Sequence, residues 1–272
     1  MLKNEIIFVV FKKALILQQK KMDSIDDFFI EEDRVGFISE DDYKRADIVI
    51  SAIKAFARLT YQSIYIIDYY KKNFLYVSDN PLFLCGLSAQ EVKELGYAFY
   101  AQHVPEEEFD MLLEINQAGF KLFNKTPAEN RLKMIMSYDF HIQYKDKKTL
   151  INHKLTPILL SGDGNIWLAA CVVSQSSQKE AGNVEARMDG SAEYRTYSLK
   201  NRSWTKEKVI TLNERERDIL LLSSQGFSMN EIAKALCITK STVKFHKNKL
   251  FERLNVKKIS EALTVVNNSK LI

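Results

Sequence analysis

The sequence predicts an α+β chain, with an antiparallel sheet and its helices first and an all-α domain of four helices after it. Three observations carry this. Between Ser63 and Ser174, five runs rich in β-branched and aromatic residues alternate with turn signals. After residue 210 the pattern changes to helical segments, three of them opened by an Asn, Ser or Thr cap. The charge changes as well, with 15 basic and 7 acidic residues from Lys200 onward but 24 and 28 before it. The net charge of +4 hides that asymmetry, and only the C-terminal part suits a polyanion. At 272 residues there is room for two cores, and 46% apolar with 27% charged residues is ordinary for a globular chain.

Residues 1–40 read as an extension, expected to be poorly ordered. Ile6–Phe11 and Ala14–Leu17 are apolar, but Lys12 and Lys13 interrupt them. Neither piece approaches the roughly 20 apolar residues of a membrane span. The basic start is signal-peptide-like, yet no small-x-small cleavage site follows, and Met22 is a candidate start. Cys85, Cys171 and Cys237 form no CxxC or zinc pattern and read as reduced thiols. No membrane association and a cytoplasmic location are therefore expected. Across 41–62, Ile48, Ile50, Ile53, Phe56, Ala57 and Leu59 suggest a lead-in helix ending near Thr60.

Ser63–Tyr70 and Phe74–Val77 form a hairpin about Lys71-Lys72-Asn73. Asn80 then leads an apolar Pro81–Cys85 stretch, Gly86, and a capped Ser88-x-x-Glu91 segment. His103-Val104-Pro105-Glu106-Glu107-Glu108 turns into a helix from Glu107 to about Phe123. Arg131–Tyr144, Leu150–Leu160 and Asn165–Ser174 read as three long antiparallel strands. This ordered set over 63–174 resembles a PAS domain, although Glu107 stands where Asp is usual. The resemblance implies a five-stranded antiparallel sheet and a sensor role. The cofactor stays unknown. The Asn-Cys-Arg-Phe helix of flavin-binding PAS domains is absent, and haem-binding ones use an axial His. His103 belongs to the Pro turn, while His141 and His153 fall on strands at positions expected to face solvent. A small apolar or aromatic ligand in the PAS-like cavity, and no ligand at all, both remain open.

Residues 175–209 read as linker and connector, because Gln175–Ser191 is rich in Ser, Gln, Gly and Glu. Glu193–Val209 has aromatic alternation fitting a hairpin or an amphipathic connector, with Trp204 expected to pack the two domains together.

Residues 210–272 carry the densest signal. Asn213 with Glu216 caps a first helix that Gly226 ends, and Ser228-x-x-Glu231 is a capping box for a second. Cys237-Ile238 makes a turn, and Thr239 caps a third helix from about Lys240 to Leu254. Leu212, Glu214-Arg215-Glu216, Gly226, Glu231-Ile232-Ala233, Leu236, Ile238, Thr242-Val243, His246, Leu254, Val256 and Ala262 give this stretch its resemblance to the LuxR/GerE-type helix-turn-helix. The resemblance implies a DNA-binding transcription regulator, with Ile259–Asn268 as a dimerisation helix offering Ala262, Leu263, Val265 and Val266.

Val243, Leu250 and Leu254 share one side of the third helix, which leaves Ser241, Lys244, Phe245 and Asn248 on the other. That is the side a recognition helix lays in the major groove. Lys244 suits guanine, Asn248 adenine, and Phe245 a thymine methyl or else the core. Lys240, Lys247, Lys249, Lys257 and Lys258 suit phosphates, and Thr242 suits one held at the helix N-terminus. His246 reads as an interfacial or phosphate-contact residue.

The expected partners are double-stranded DNA, a second copy of the chain and RNA polymerase. No cofactor is required for DNA binding, no metal cluster is seen, and no catalytic set is recognised, so the chain is not expected to be an enzyme. The alternative reading keeps DNA binding but makes the PAS-like domain a protein-interaction or dimerisation module without a small ligand.

Overall fold

The computed structural model describes residues 21–22, 24–29, 34–60, 62–209 and 211–268. The expectations for residues 1–20 lie outside them. The chain divides into two compact units, residues 1–207 and 208–272.

The first unit is built on one sheet of eight strands, in the order β2-β1-β5-β4-β3-β6-β7-β8. These are β1 (Ser63–Asp68), β2 (Asn73–Val77), β3 (Met134–Tyr144), β4 (Lys147–Leu160), β5 (Ile166–Gln175), β6 (Gly182–Met188), β7 (Glu193–Ser198) and β8 (Ser203–Lys208). The five strands read from the sequence are β1–β5, with the helices inserted between the second and third. This is the PAS-like arrangement.

Of the linker and connector expected over 175–209, the part read as linker holds strand β6, while β7 and β8 form the hairpin that Glu193–Val209 fitted. β6 pairs antiparallel with β3, Met136 opposite Ala186, and β7 pairs with β6. Val184 and Ala186 are buried. The Ser/Gln/Gly composition hid this alternation, and the open edge of β3 rewards it with a ladder of backbone hydrogen bonds. Trp204, expected to bridge two domains, packs on the core of its own unit with its ring 5.0 Å from Tyr197. The start of the strand expected from Arg131 is a 3-10 turn, Ala128–Lys133, in which Arg131 Nη1 donates to the Gly164 carbonyl at 2.7 Å.

Helices α1 (Glu40–Leu59), α2 (Pro81–Leu84), α3 (Ala89–Leu95), α4 (Ala98–His103) and α5 (Glu106–Asn124) accompany the sheet. Ser39 and Ser88 form capping boxes with Asp42 and Glu91, which set the starts of α1 and α3. Tyr43 of α1 donates to Asp68 Oδ2 of β1 at 2.6 Å. Gly119 of α5 lies so close to β3 that a Cβ there would sit 2.6 Å from Met136 Sδ.

Register puts Ser63, Val173, His153 and Tyr138 on one rung across the inner face, with Tyr65, Cys171, Leu155 and Met136 on the next. His153 is therefore not turned to solvent, as the sequence had suggested, but is 1% exposed. Its Nε2 lies 2.5 Å from the Tyr65 hydroxyl, which lies 2.5 Å from the Tyr100 hydroxyl. Burial pushes its pKa down to about 3 and keeps the ring neutral.

The second unit holds α6 (Glu214–Ser224), α7 (Met229–Ala235), α8 (Lys240–Leu254) and α9 (Ile259–Asn268). Asn213, Ser228 and Thr239 cap the first three, each accepting a backbone N–H from the residue three positions on. Gly226, with φ at +88°, takes the left-handed turn that releases the chain from α6. Ile219, Leu220, Ile232, Ala233, Val243, Leu250, Leu254, Ala262 and Val266 are the buried apolar residues. Ala262 and Val266 were expected to serve dimerisation, but they are fully buried in this domain's own core, because α9 must close over α6 and α8.

His153 gives a pH test. The unfolded chain takes up a proton near 6.5 and the folded chain only near 3, so stability rises with pH between those values. His153→Gln should remove a loss of up to about 1.4 kcal/mol per pH unit below 6.5. Urea unfolding of both proteins at pH 7 and pH 5.5 measures it; equal losses would contradict a neutral buried imidazole.

Candidate nucleic-acid interface

Helix α8 starts where Thr239 caps it. Thr239 Oγ1 accepts the Thr242 N–H at 3.2 Å and lies 2.7 Å from Ser241 Oγ and 2.8 Å from Thr242 Oγ1. Three hydroxyls thus gather at the positive end of the helix dipole, next to Lys240. The helix ends at Asn255, in the left-handed conformation, and the Val256 N–H returns to the Phe251 carbonyl at 3.0 Å.

Val243, Leu250 and Leu254 are buried, and they commit one stripe of α8 to the core. The other side is open, with Ser241, Lys244, Phe245, Asn248 and Lys249 all exposed. Phe245 is 62% exposed, so its alternative place in the core is excluded. Its ring meets that of half-buried His246 edge-on at 5.6 Å. Thr242 is half-buried beside its cap. Lys240, Lys257 and Lys258 are exposed, and Glu261 Oε2 accepts the backbone N–H groups of the last two at 2.8 and 3.3 Å. Lys247 is different, being half-buried with Nζ 5.4 Å from the Phe251 ring centre.

Arg253 also lies on α8. It is held elsewhere. Its Nη1 lies 2.5 Å from Oε1 of Glu216, which is 1% exposed, and its Nη2 donates to the Thr211 carbonyl. Glu216 also accepts the Asn213 N–H at 3.0 Å. The cap was visible locally, but its partner 37 residues away was not.

The surface combines an ammonium, a carboxamide and an aromatic ring with flanking cations. Among the described residues, no group of three His, Cys, Asp or Glu could hold a metal ion. No helix among them is long and apolar enough to cross a membrane.

A four-helix unit whose third helix is capped, amphipathic and open on one side defines the class of helix-turn-helix domains. Residues 211–266 match the family described as bacterial regulatory proteins, luxR family, so this part of the chain is a LuxR-type helix-turn-helix domain. The nitrate/nitrite response regulator protein NarL of Escherichia coli K12 is 39% identical over 71 residues, 26% of this chain and 33% of NarL. The chain thus spans about a third of the length of that relative. Among solved structures, a phage VqmA–DPO complex covers 83% of this chain and 89% of its own at 14% identity, with a TM-score of 0.32. The Vibrio cholerae VqmA dimer, solved in the absence of target DNA, covers 81% and 88% at 15% identity, with a TM-score of 0.33. Likenesses this low assign no ligand or assembly to this chain.

The Glu216–Arg253 pair is open to test. Arg253→Ala would leave a buried carboxylate without its cation, which costs about 2–4 kcal/mol for a pair partly open to water. Helix content followed through urea unfolding should show that loss, whereas exposed Lys249→Ala should change stability by less than about 0.5 kcal/mol.

Proposed function

We propose that this chain is a sequence-specific DNA-binding transcriptional regulator in which the PAS-like first unit receives a signal and controls the helix-turn-helix. One observation carries it: α8 exposes Lys244, Phe245 and Asn248 on the side opposite its buried stripe. In this reading α8 enters the major groove. Lys244 bonds guanine, Asn248 bonds adenine, and Phe245 touches a thymine methyl. Lys240, Lys249, Lys257 and Lys258 neutralise phosphates, and Ser241 and Thr242 donate to one at the helix N-terminus. Lys247 and His246 serve from the half-buried flanks.

A homodimer would place two such helices on half-sites about one helical turn apart. Helix α1 supports a second copy. Ile48, Phe56 and Leu59, exposed by 79%, 58% and 80%, lie along one side of it and form an apolar stripe that water disfavours. The same stripe favours the second reading, in which the first unit is a dimerisation or protein-interaction module without a small ligand. A native mass measurement decides the matter of copies: Phe56→Glu should turn a dimer into a monomer, and an unchanged dimer would move the interface elsewhere.

The DNA reading is tested by binding to a selected site. Lys244→Ala or Asn248→Ala should relax preference at one position per half-site, at about 1–3 kcal/mol. Lys249→Ala should weaken all sequences alike and make the salt slope shallower by about one unit per protomer. Lys247→Ala also loses its contact with Phe251, so it is the less clean variant. Wild-type binding by all of them would remove α8 from the groove.

A further inference from the structure

The inference deepens the second reading of the first unit, in which it engages a protein, and it rests on that reading. The sheet is wider than the helices laid on it. Strands lie about 4.8 Å apart and a helix with its side chains is about 10 Å across, so α5 covers about two of them. Those two are β3 and β6, against which it packs. Tyr197 and Arg195 of β7 stand opposite buried Val184 and Ala186 of β6, so they share the face that α5 covers.

The β7–β8 hairpin therefore overhangs α5 and leaves a groove beside it. Its two adjoining parts hold about 640 Å³ and about 300 Å³, with Leu122, Lys125 and Arg195 common to both. One wall is a stripe of α5 at helical spacing: Asp110, Leu113, Glu114, Gln117, Lys121 and Lys125. The other wall is Arg195, Tyr197 and Trp204 of the hairpin. Glu114 ties the walls together, accepting from the Tyr197 hydroxyl at 3.1 Å and pairing with Arg202 at 3.2 Å. Leu113, Leu122 and Trp204 are half-buried, each packed on the core from one side.

The charge of the groove runs against that of its unit. Residues 1–199 carry 24 basic and 28 acidic side chains. The groove has five cations, Lys121, Lys125, Arg195, Arg202 and Lys206, against Asp110, Glu114 and Glu193. Arg202 and Lys206 are paired with Glu114 and Glu193. Lys121, Lys125 and Arg195 form no ion pair among the described residues. Asp110 is about 16 Å along the helix from Lys121, too far to serve it. Both walls thus offer unpaired positive charge beside an apolar floor.

The shape and the lining choose the occupant. From Leu113 to Lys125 the α5 wall is about 18 Å long, the length of a helix of about 12 residues. None of the polar side chains lining the groove is buried, so nothing fixes the pose of a small ligand. The apolar stretch at the start of the chain is itself basic, with Lys3, Lys12, Lys13 and Lys20 against Glu5, and does not complement the groove.

We propose that this groove docks an acidic amphipathic helix of another protein. The helix lays its apolar stripe on Leu113, Leu122 and Trp204. Its carboxylates meet Lys121 and Lys125 from one side and Arg195 from the other.

The test selects displayed peptides of about 16 random residues, four helical turns, on the full chain. Duplex DNA in excess occupies the basic second unit. The enriched peptides should be acidic with apolar residues at helical spacing. One of them, synthesised, is titrated into protein carrying 5-fluorotryptophan at Trp167 and Trp204, the two tryptophans of the chain, assigned by Trp204→Phe. The Trp204 fluorine resonance should move saturably while that of buried Trp167 stays. Lys121 and Lys125 are exposed, so Lys121→Glu with Lys125→Glu keeps the fold and should weaken the peptide about tenfold or more. Lys145→Glu with Lys147→Glu, on the β3–β4 turn, should change nothing. A peptide whose Glu residues are replaced by Lys should prefer the Lys121→Glu, Lys125→Glu protein to the wild type.

Enrichment of neutral or basic peptides overturns the groove. An acidic peptide that ignores both pairs of substitutions and leaves Trp204 unmoved overturns it too, while the protein-interaction reading stands. No enrichment of any peptide overturns both. A dimer that Lys121→Glu with Lys125→Glu turns into a monomer makes the groove a contact between copies. Citrate that moves the Trp204 resonance at the peptide's own concentration makes it an anion site. Either of these overturns the docked helix.

Discussion

One carboxylate fixes how the helices of the second unit meet. Glu216 closes the capping box of α6 and also takes the guanidinium of Arg253 from the last turn of α8. The start of one helix and the end of another are thereby held to a single buried charge. Desolvating that carboxylate is tolerable only with both partners in place, so the pair sets the angle of α8 as well as its stability. With the stripe of Val243, Leu250 and Leu254 already committed inward, the outward direction of Lys244, Phe245 and Asn248 follows.

This explains which parts of the site were legible in the sequence. Caps act over three residues and apolar stripes over seven, so the bounds of α8 and its open face followed from local pattern. The Glu216–Arg253 pair joins residues 37 apart and has no local signature. Two residues of α9 were misplaced for the same reason. Ala262 and Val266 have the spacing of an interface, and whether that interface lies within the domain or between two copies depends on α6 and α8.

The first unit shows the same division. Strands β1–β5 declared themselves by aromatic and β-branched runs, whereas β6 lay in a stretch whose composition read as linker. What decided its state was the vacant edge of β3, a property of the sheet and not of the segment. His153 was misplaced because a strand position alone does not say which face is covered; the register with Ser63, Val173 and Tyr138 does.

The extension of the sheet to β8 affects how the protein behaves at high concentration. A sheet edge is a template for any passing strand, and long apolar edges promote aggregation. Here β8 ends the sheet with exposed Ser203, Thr205, Lys206, Glu207 and Lys208, and Lys206 is paired to Glu193 at 3.7 Å. A second strand adding there would have to strip water from charges of both signs along its whole length. At the opposite edge β2 is packed against α3. The sheet therefore stops growing at its own last strand, and a short charged strand protects the fold from polymerising through its edge.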